Sequence, residues 1–398
     1  MKKTLLAAAA LSAFAGAAQA QSSVTVYGTL DAAVSNNDTG TTTLNGTTTK
    51  LMGSRTVSDR LGFKGVEDLG GGQTAFFQIE TGMNIFAANP GTAGSGDGQA
   101  MTSQTPGSLI TTRRPSFLGI SDAKLGSIQA GSQYSPGFLF TGYGDVAGNN
   151  TVGTNFSQAT VVSSVADATN STATTASYKM NAQSIRYDSP SFMGLVGSAY
   201  VVTQSTQASG AGKVNALAAA YTSGKFEAQA VYEVKIVSTN SNIVTTATAT
   251  KHTSTGIGGG YDFGFAKARV TYQKGELASQ INGSLSGSNG VVTVTKVSAI
   301  APVTPAIDVF GAYILMSENS VGSMYGAANV QKSATGMSVG SSYKFSKRTN
   351  IYATYTALEN NSNAAFGLGG SAIGTSSTNG VVAGNDPKII NIGMRHSF

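Results

Sequence analysis

The sequence predicts an all-β protein, a transmembrane antiparallel β-barrel of 16 strands. Three observations lead to this fold class. Several segments alternate apolar and polar residues with a period of two, which is typical of β-strands. Short turns alternate with long loops along the chain, and the last residues form a further alternating segment. Short turns at one end of a sheet and long loops at the other are the arrangement of transmembrane barrels.

The first 20 residues have the features of a secretory signal. Lys2 and Lys3 form a short basic region, an apolar run follows, and residues 18–20 (Ala-Gln-Ala) match the pattern that signal peptidase cleaves. The apolar run is too short for a membrane anchor and no stop-transfer pattern follows, although a buried N-terminal helix is the alternative. We therefore expect residues 1–20 to be a cleaved signal peptide and residues 21–398 to form the barrel after export through the periplasm.

Composition narrows the class of protein. The chain has no cysteine, so we expect an exported protein that holds together without disulfides or thiolate metal sites. Its 50 glycines and 11% charged residues do not suit a helical enzyme, and 40% hydrophobic residues do not suit a disordered chain. No apolar run after residue 20 approaches the roughly 20 residues of a membrane helix. A membrane-spanning form must then be a closed barrel, which satisfies every backbone hydrogen bond in lipid.

Alternation is clearest in residues 226–235, 267–274 and 351–357. In the first of these segments, Phe, Ala, Ala, Tyr and Val on one parity alternate with Glu, Gln, Val, Glu and Lys on the other. One apolar face and one polar face indicate a half-buried strand. A soluble β-sandwich would show the same pattern, so alternation alone does not select a membrane protein.

The spacing of turns and loops selects the barrel. Seven tight connections alternate with eight long stretches rich in Gly, Ser, Thr and Asn, which requires 16 strands. The predicted turns are residues 68–72, 123–126, 189–191, 223–225, 262–264, 302–305 and 346–350. The predicted loops are residues 35–54, 85–110, 135–176, 204–213, 238–250, 278–288, 318–333 and 360–387. In a barrel the turns would face the periplasm and the loops the outside of the cell.

The last predicted strand carries an independent signal. Ile390, Ile392, Met394, His396 and Phe398 share one parity. A final Phe with apolar or aromatic residues at alternate earlier positions resembles the signature that the outer-membrane barrel assembly machinery reads. We interpret Met394, His396 and Phe398 as this assembly signal, which implies the machinery as a partner during biogenesis.

Motifs spread along the chain carry a family resemblance. They are Ser23-Val-Thr-Val-Tyr-Gly-Thr-Leu-Asp31, Asp59-Arg-Leu-Gly-Phe-Lys-Gly-Val-Glu-Asp-Leu-Gly-Gly-Gly72, residues 75–80, 117–120, 186–192, 261–264 and 346–349, and the terminal strand. Their residues and their order resemble the general, non-specific porin family of Gram-negative outer membranes, in the branch common among β-proteobacteria. The resemblance implies a 16-stranded barrel in outer-membrane lipid and lipopolysaccharide, a homotrimer, and a third extracellular loop folded into the lumen.

The same resemblance implies a water-filled channel for passive diffusion of small hydrophilic solutes and ions, with no cofactor. A substrate-specific channel is an alternative, and it would need a ladder of aromatics or a dense basic site in the lumen. A barrel hydrolase is less consistent with the sequence, because His252 and His396 are the two histidines and leave no Ser-His-Asp group or His-based metal site. The charge of +6 is spread without a Lys/Arg run, which argues against nucleic acid as a partner.

Strand parity assigns the first charges of the pore. Leu61 and Phe63 are apolar and should face lipid, which turns Arg60 and Lys64 toward the lumen.

An outward Phe117 would likewise turn Arg114 inward, and an outward Tyr187 would turn Arg186 and Asp188 inward. By resemblance, Arg60, Arg114 and Arg186 form the basic side of the pore constriction. The alternative is that they are ordinary solvated strand residues.

The third loop, residues 135–176, should supply the opposing acidic side. Members of the resembled family carry acids early in this loop, whereas here Asp145 is the first charge and Asp167 the next. One acid against Arg60, Lys64, Arg114 and Arg186 favours weak anion selectivity. Alternatively, Asp145 caps a turn.

Overall fold

The computed structural model describes residues 23–40, 47–83, 85–86, 110–147, 180–202, 213–238, 249–278, 290–320, 330–368 and 383–398. The predicted signal peptide, residues 1–20, lies outside these residues. The strand segments are β1 (Ser23–Asp38), β2 (Thr47–Gly53), β3 (Arg60–Gly70), β4 (Gln73–Met83), β5 (Ile110–Asp122), β6 (Gly126–Tyr134), β7 (Met180–Asp188), β8 (Leu195–Val202), β9 (Val214–Ser223), β10 (Phe226–Ser238), β11 (Ala249–Asp262), β12 (Lys267–Ala278), β13 (Gly290–Pro302), β14 (Ile307–Ser320), β15 (Gln331–Lys344), β16 (Thr349–Asn360) and β17 (Lys388–Ser397). Among the described residues, a helix, α1 (Pro136–Tyr143), lies between β6 and β7.

The strands form one antiparallel sheet that closes on itself through pairing of β1 with β17. On its other side, β1 pairs with β2 from Ala32 to Asp38 and with β3 from Ser23 to Thr29. Because β2 and β3 share one position beside β1, the 17 segments fill 16 positions. The predicted 16-stranded antiparallel barrel is therefore confirmed, with its second strand interrupted at residues 54–59. Within the described residues, no helix is both long enough and apolar enough to span a membrane.

The carboxylate of Asp31 holds this interruption in place. One of its oxygens accepts hydrogen bonds from the Thr56 hydroxyl at 2.6 Å and from the Val57 backbone N–H at 2.9 Å. The Asp31 backbone N–H donates to Asp59 Oδ1 at 2.6 Å. These bonds replace ladder hydrogen bonds that the interrupted strand cannot make.

The predicted first loop, residues 35–54, is too long. In the structure β1 continues to Asp38 and β2 already begins at Thr47. This hairpin is held by polar cross-strand contacts, such as the 2.8 Å hydrogen bond from Asn36 Nδ2 to Thr49 Oγ1. A strand with no apolar face lacks the alternation by which sequence analysis recognises strands.

In an antiparallel barrel the chain reverses direction at every connection, so alternate connections lie at the same end. The seven short turns are alternate connections, and they therefore all lie at one end of the barrel. The turn between β3 and β4 places Gly70, Gly71 and Gly72 at φ values of +80°, +65° and +87°. Glycine populates this region without the penalty that a Cβ would bring. The run of three glycines therefore reverses the chain tightly at this end.

Side chains alternate between the outer surface and the lumen along each strand. On β17, Ile392 is 63% exposed on the outer face, whereas its neighbour Asn391 is 8% exposed on the inner face. The outer face is apolar and the inner face largely polar, as lipid outside and water inside require. An exception is an apolar cluster on the inner face near the loop end, where Phe366 of the last loop packs with Ile314 and Leu358.

Candidate functional site

The helix α1 begins the third loop and enters the lumen. Ser135 caps its N-terminus by accepting a hydrogen bond from the Phe138 backbone N–H at 3.2 Å, and Pro136 occupies the first turn. Both residue types favour a helix start. From the end of β6, α1 crosses to contact β9, β10 and β11. The described part of the third loop, residues 135–147, is thus folded into the lumen, and residues 148–176 lie outside the described residues.

A buried carboxylate on β10 holds the N-terminus of α1. Glu233 Oε2 accepts from the Gly137 backbone N–H at 2.9 Å, and Glu233 Oε1 accepts from the Ser135 hydroxyl at 3.2 Å. Lys235 Nζ lies 2.9 Å from the same carboxylate. A negative charge at a helix N-terminus is favourable because the unpaired N–H groups and the helix dipole face it.

Glycines on β11 make room for the aromatic side chains of α1. A Cβ built on Gly256 would lie 2.5 Å from Phe140 Cε1, and one on Gly258 would lie 3.1 Å from Tyr143 Cε1. Phe140 and Tyr143 are buried here with Val231. Close packing of rings against the backbone fixes the distance between α1 and this wall.

The C-terminus of α1 is held by polar side chains of β12 and β13. Arg269 Nη1 donates to the Tyr143 carbonyl at 2.9 Å, and the Ser298 hydroxyl donates to the Gly144 carbonyl at 2.7 Å. The Arg269 guanidinium also lies 4.7 Å from the Tyr143 ring centroid, within cation–π range. Burial raises the pKa of the Tyr143 phenol to about 12.

Asp145 contacts the barrel wall at Lys296 of β13. Its carboxylate lies 3.8 Å from Lys296 Nζ and its side chain is fully buried. Its Oδ1 also accepts from the Ala147 backbone N–H at 3.1 Å, a turn-capping contact. The expectation that Asp145 opposes the arginines across the pore is therefore not what the described geometry shows. We name the set Glu233, Lys235, Arg269, Lys296 and Ser298 the anchor wall.

The predicted basic residues lie on the opposite side of α1. Arg60 and Lys64 on β3 face the lumen, since Phe63 between them is exposed on the outer face. Lys64 Nζ lies 5.3 Å from the ring centroid of Tyr27. We name the set Arg60, Lys64, Arg114 and Arg186 the basic wall.

Arg114 reaches the lumen for a different reason from the one that parity suggested. The pairing shifts by one residue between Ile79↔Ser116 and Thr81↔Arg113, so β5 contains a bulge. Phe117 shares the inner face, with its ring 6.4 Å from that of Phe76, and the prediction that it faces lipid was wrong. An extra residue in a strand moves the side chains that precede it to the opposite face of the sheet. Pro115 was the available signal, because proline inside a strand is found at bulges or edges.

Glu80 on β4 is a pore acid that the sequence analysis missed. Its Oε2 lies 2.9 Å from Arg114 Nε, and its Oε1 accepts from the Tyr27 hydroxyl at 2.8 Å. Gln78 also donates to this oxygen at 3.2 Å. Glu80 has the same parity as Gln78 in the matched segment 75–80, so consistent use of parity on β4 would have found it.

Arg186 on β7 faces the lumen beside Asp188, as parity predicted. Arg186 Nη2 lies 2.9 Å from Asp188 Oδ1, and the two side chains are 25% and 23% exposed. Asp188 also accepts from the Ser198 hydroxyl. On the basic wall, four cations are accompanied by the carboxylates of Glu80 and Asp188, which leaves a net charge of about +2.

The predicted assembly residues lie on the outer face of β17. Met394, His396 and Phe398 are exposed there. Phe398 exchanges two backbone hydrogen bonds of 3.1 Å with Gly28 on β1, which closes the barrel at the turn end. His396 Nδ1 lies 2.9 Å from the Thr349 hydroxyl.

In the part of the chain that the structure describes, no group of three or more His, Cys, Asp or Glu residues is arranged to hold a metal ion. His252 on β11 is buried on the inner face, whereas His396 on β17 is exposed on the outer face. The wall of the barrel separates the two imidazoles.

Comparison with known proteins agrees with this architecture. A family model described as Gram-negative porin matches residues 7–363. An outer membrane porin protein of Bordetella pertussis is 27% identical, and the alignment covers 93% of this chain and 99% of that protein.

Two solved structures share the fold. An anion-selective porin from Comamonas acidovorans superposes with a TM-score of 0.66 at 22% identity, covering 95% of this chain and all of that one. The trimer form of OmpT, an outer membrane protein of Vibrio cholerae, superposes with a TM-score of 0.64 at 15% identity, covering 95% and 99% of the two chains.

Proposed function

The chain belongs to the Gram-negative porin family, and we propose that its channel is weakly anion-selective. As a member of this family it is a channel of the outer membrane for passive diffusion of small hydrophilic solutes and ions. Family and fold indicate a channel rather than an enzyme. The observation that carries the selectivity proposal is the charge balance of the basic wall.

The basic wall has four cations, and Glu80 and Asp188 compensate two of them. Asp145, the third-loop acid that was expected to oppose them, lies against Lys296. Unit charges 4 Å apart interact by about 1 kcal/mol in bulk water and by about 4 kcal/mol at lower effective dielectric. A net positive wall in a narrow aqueous lumen should therefore favour anion entry. The porin from Comamonas acidovorans that shares this fold is anion-selective, which supports the proposal.

Reversal potentials of single channels in asymmetric KCl test this proposal. We expect chloride to be preferred over potassium, with a preference that falls as KCl rises, because salt shortens the reach of the wall charges. Replacing Arg60 and Arg114 by Ser should reduce or reverse the preference. Arg60→Gln alone keeps the Arg114–Glu80 ion pair, so it should lower the preference for chloride less than the double substitution does. A wild-type channel that prefers potassium would contradict the proposal.

A matched control removes two charges far from the basic wall. Lys347 and Arg348 lie in the exposed turn between β15 and β16. Replacing both by Ser changes the net charge as much as the Arg60/Arg114 double substitution does. If this control shifts the reversal potential equally, net charge rather than the basic wall determines selectivity.

We also propose that the channel is a homotrimer whose second loop, residues 85–110, contacts a neighbouring subunit. The trimer form of a structural relative supports this assembly. Unboiled detergent extract should run on a native gel near three times the monomer mass and shift on heating. A monomer under both conditions would refute it.

Membership of the family also bears on biogenesis. We propose that residues 1–20 are removed on export. The barrel assembly machinery then recognises the end of β17. In the assembled state, outer-membrane lipid and lipopolysaccharide surround the barrel. Phe398→Ser should lower the amount of heat-modifiable, assembled protein in outer membranes, whereas Ser397→Ala on the inner face should not. Intact mass of the purified protein tests the cleavage.

A further inference from the structure

A recess of about 200 Å³ opens between the basic wall and α1. Its composition differs from that of an ordinary hydrophilic pore, because apolar and cationic side chains share it. The groups that matter are Arg60, Arg114, Arg186, Phe117, Tyr134 and Leu139.

The apolar half of the recess is accessible from the lumen. Leu139 projects from α1 with 41% of its surface exposed, although its neighbour Phe140 is buried against Gly256 of β11 and Val231 of β10. The Tyr134 ring lies 4.9 Å from that of Phe138, and the Phe117 ring packs edge-on against Phe76. Apolar surface in a water-filled lumen gains free energy when an apolar solute covers it. The early third loop, which carries no acid before Asp145, thus contributes a hydrocarbon surface.

The polar half of the recess provides positive charge. Arg114 is paired with Glu80, which neutralises the one carboxylate that lines the recess. Arg186 contacts Asp188 through Nε and Nη2, and a guanidinium has further N–H donors. Arg60 has no carboxylate oxygen within 4.0 Å among the residues described. Two guanidinium groups can therefore face an anion in the recess.

We propose that this recess is a binding site for monocarboxylates with an apolar body about the size of one ring. The carboxylate would face Arg60 and Arg186, and the ring would contact Phe117, Tyr134 and Leu139. This inference rests on the proposed anion selectivity, since the lumen must admit the anion. A recess of about 200 Å³ is below the 300–1,000 Å³ typical of sites for drug-sized ligands, which limits the solute to a single ring. Binding must be weak, because a channel that holds its solute does not conduct it.

Block of the chloride current by benzoate tests the site. Single wild-type channels in bilayers are recorded in KCl while sodium benzoate is added, and we expect a saturable fall in unit current. Three solutes serve as controls. Acetate has the negative charge but no ring, and benzyl alcohol has the ring but no charge. Benzylammonium has the ring with a positive charge. Each should block at least about tenfold less strongly than benzoate at equal concentration. Cyclohexanecarboxylate should block like benzoate, because the site requires apolar area rather than aromaticity.

Substitutions then locate the block. Phe117→Ser with Leu139→Ser should raise the half-blocking benzoate concentration roughly fivefold, about 1 kcal/mol. Leu125→Ser is the matched control, since Leu125 is an exposed leucine in the turn between β5 and β6. It should leave the half-blocking concentration unchanged. If both variants change it equally, or neither does, the recess is not the site.

The outcomes separate this inference from the selectivity proposal. If the chloride-over-potassium permeability ratio is above one but benzoate blocks no better than acetate, the carboxylate site alone is overturned. If that permeability ratio is below one but benzoate still blocks the current saturably, the selectivity proposal alone is overturned. An equal block by benzyl alcohol would show that the recess binds apolar solutes without regard to charge, which also overturns the site as proposed.

Discussion

The two sides of the lumen use the same kinds of charged residue for different purposes. On the anchor wall, Lys296 and its partner Asp145 are 1% and 0% exposed, and the pair fixes the chain that follows α1. On the basic wall, Arg186 and its partner Asp188 each keep about a quarter of their surface exposed. The residue types are alike, but water reaches the Arg186–Asp188 pair and not the Lys296–Asp145 pair. The Arg114–Glu80 pair of the basic wall, with both side chains 7% exposed, is nearly as buried as the anchor wall.

This difference decides what each charge contributes. A buried ion pair contributes little net stability over an apolar pair, yet breaking it is costly because a charge is left uncompensated. An exposed pair contributes little stability in either case, but its field extends into the water that ions cross. The anchor wall should therefore control the position of α1, and the basic wall should control which ions pass.

The largest expected effect comes from breaking the anchor wall at Glu233. Glu233→Gln removes the charge that faces Lys235 and the N-terminus of α1 inside a fully buried contact. Loss of one partner of a buried pair costs about 3–5 kcal/mol in unfolding free energy. Urea unfolding of the detergent-solubilised barrel measures this cost, and noise in the single-channel current reports a displaced α1.

Glu276→Gln is the matched control on an exposed pair. Glu276 contacts Lys274 at the surface, and such pairs contribute about 0–1 kcal/mol. If the substitutions at 233 and 276 cost the same, burial does not distinguish the anchor wall.

An intermediate effect should follow from filling the space beneath α1. In Gly256→Ala, the added methyl group would lie 2.5 Å from the ring of Phe140, so the helix must shift. Overpacking of this kind costs about 1–3 kcal/mol. The free energy of unfolding should fall by that amount, and the unit conductance should change because α1 borders the open lumen.

Gly259→Ala, on the outer face of the same strand, is the control. Its new methyl group would meet nothing closer than the Glu227 carbonyl oxygen at 3.5 Å. Equal losses of stability at 256 and 259 would mean that the cost arises from the glycine backbone and not from contact with α1.

The smallest effect is expected on the basic wall. Asp188→Asn removes a compensating negative charge beside Arg186 and should shift the reversal potential further toward chloride. The free energy of unfolding should change by less than about 1 kcal/mol, because the pair is partly exposed. Asp308→Asn, which removes the partner of Lys344 on another part of the barrel, is the control. A shift of equal size there would argue against a special role for the basic wall.

Particular residues show where sequence reasoning was sufficient. Phe63 is exposed on the outer face, and Arg60 and Arg186 face the lumen, as alternation predicted. Alternation is a local property of a strand, so it can be read without knowing what lies across the barrel. Phe117 marks the limit, because one inserted residue at the Pro115 bulge reversed the parity.

The barrel, the number of its strands and the membrane to which it belongs could all be read from the order of amino acids. The barrel and its strand number follow from the period of the side chains and from the succession of turns and loops along the chain. The outer membrane was implied by the family resemblance of motifs such as residues 59–72. The contacts of Asp145 with Lys296 and of Glu80 with Arg114 became known from the folded chain alone. Asp145 and Lys296 are distant in sequence, and their contact depends on how α1 packs against the glycines of β11. Glu80 and Arg114 lie on neighbouring strands, and they meet because the bulge in β5 turns Arg114 inward.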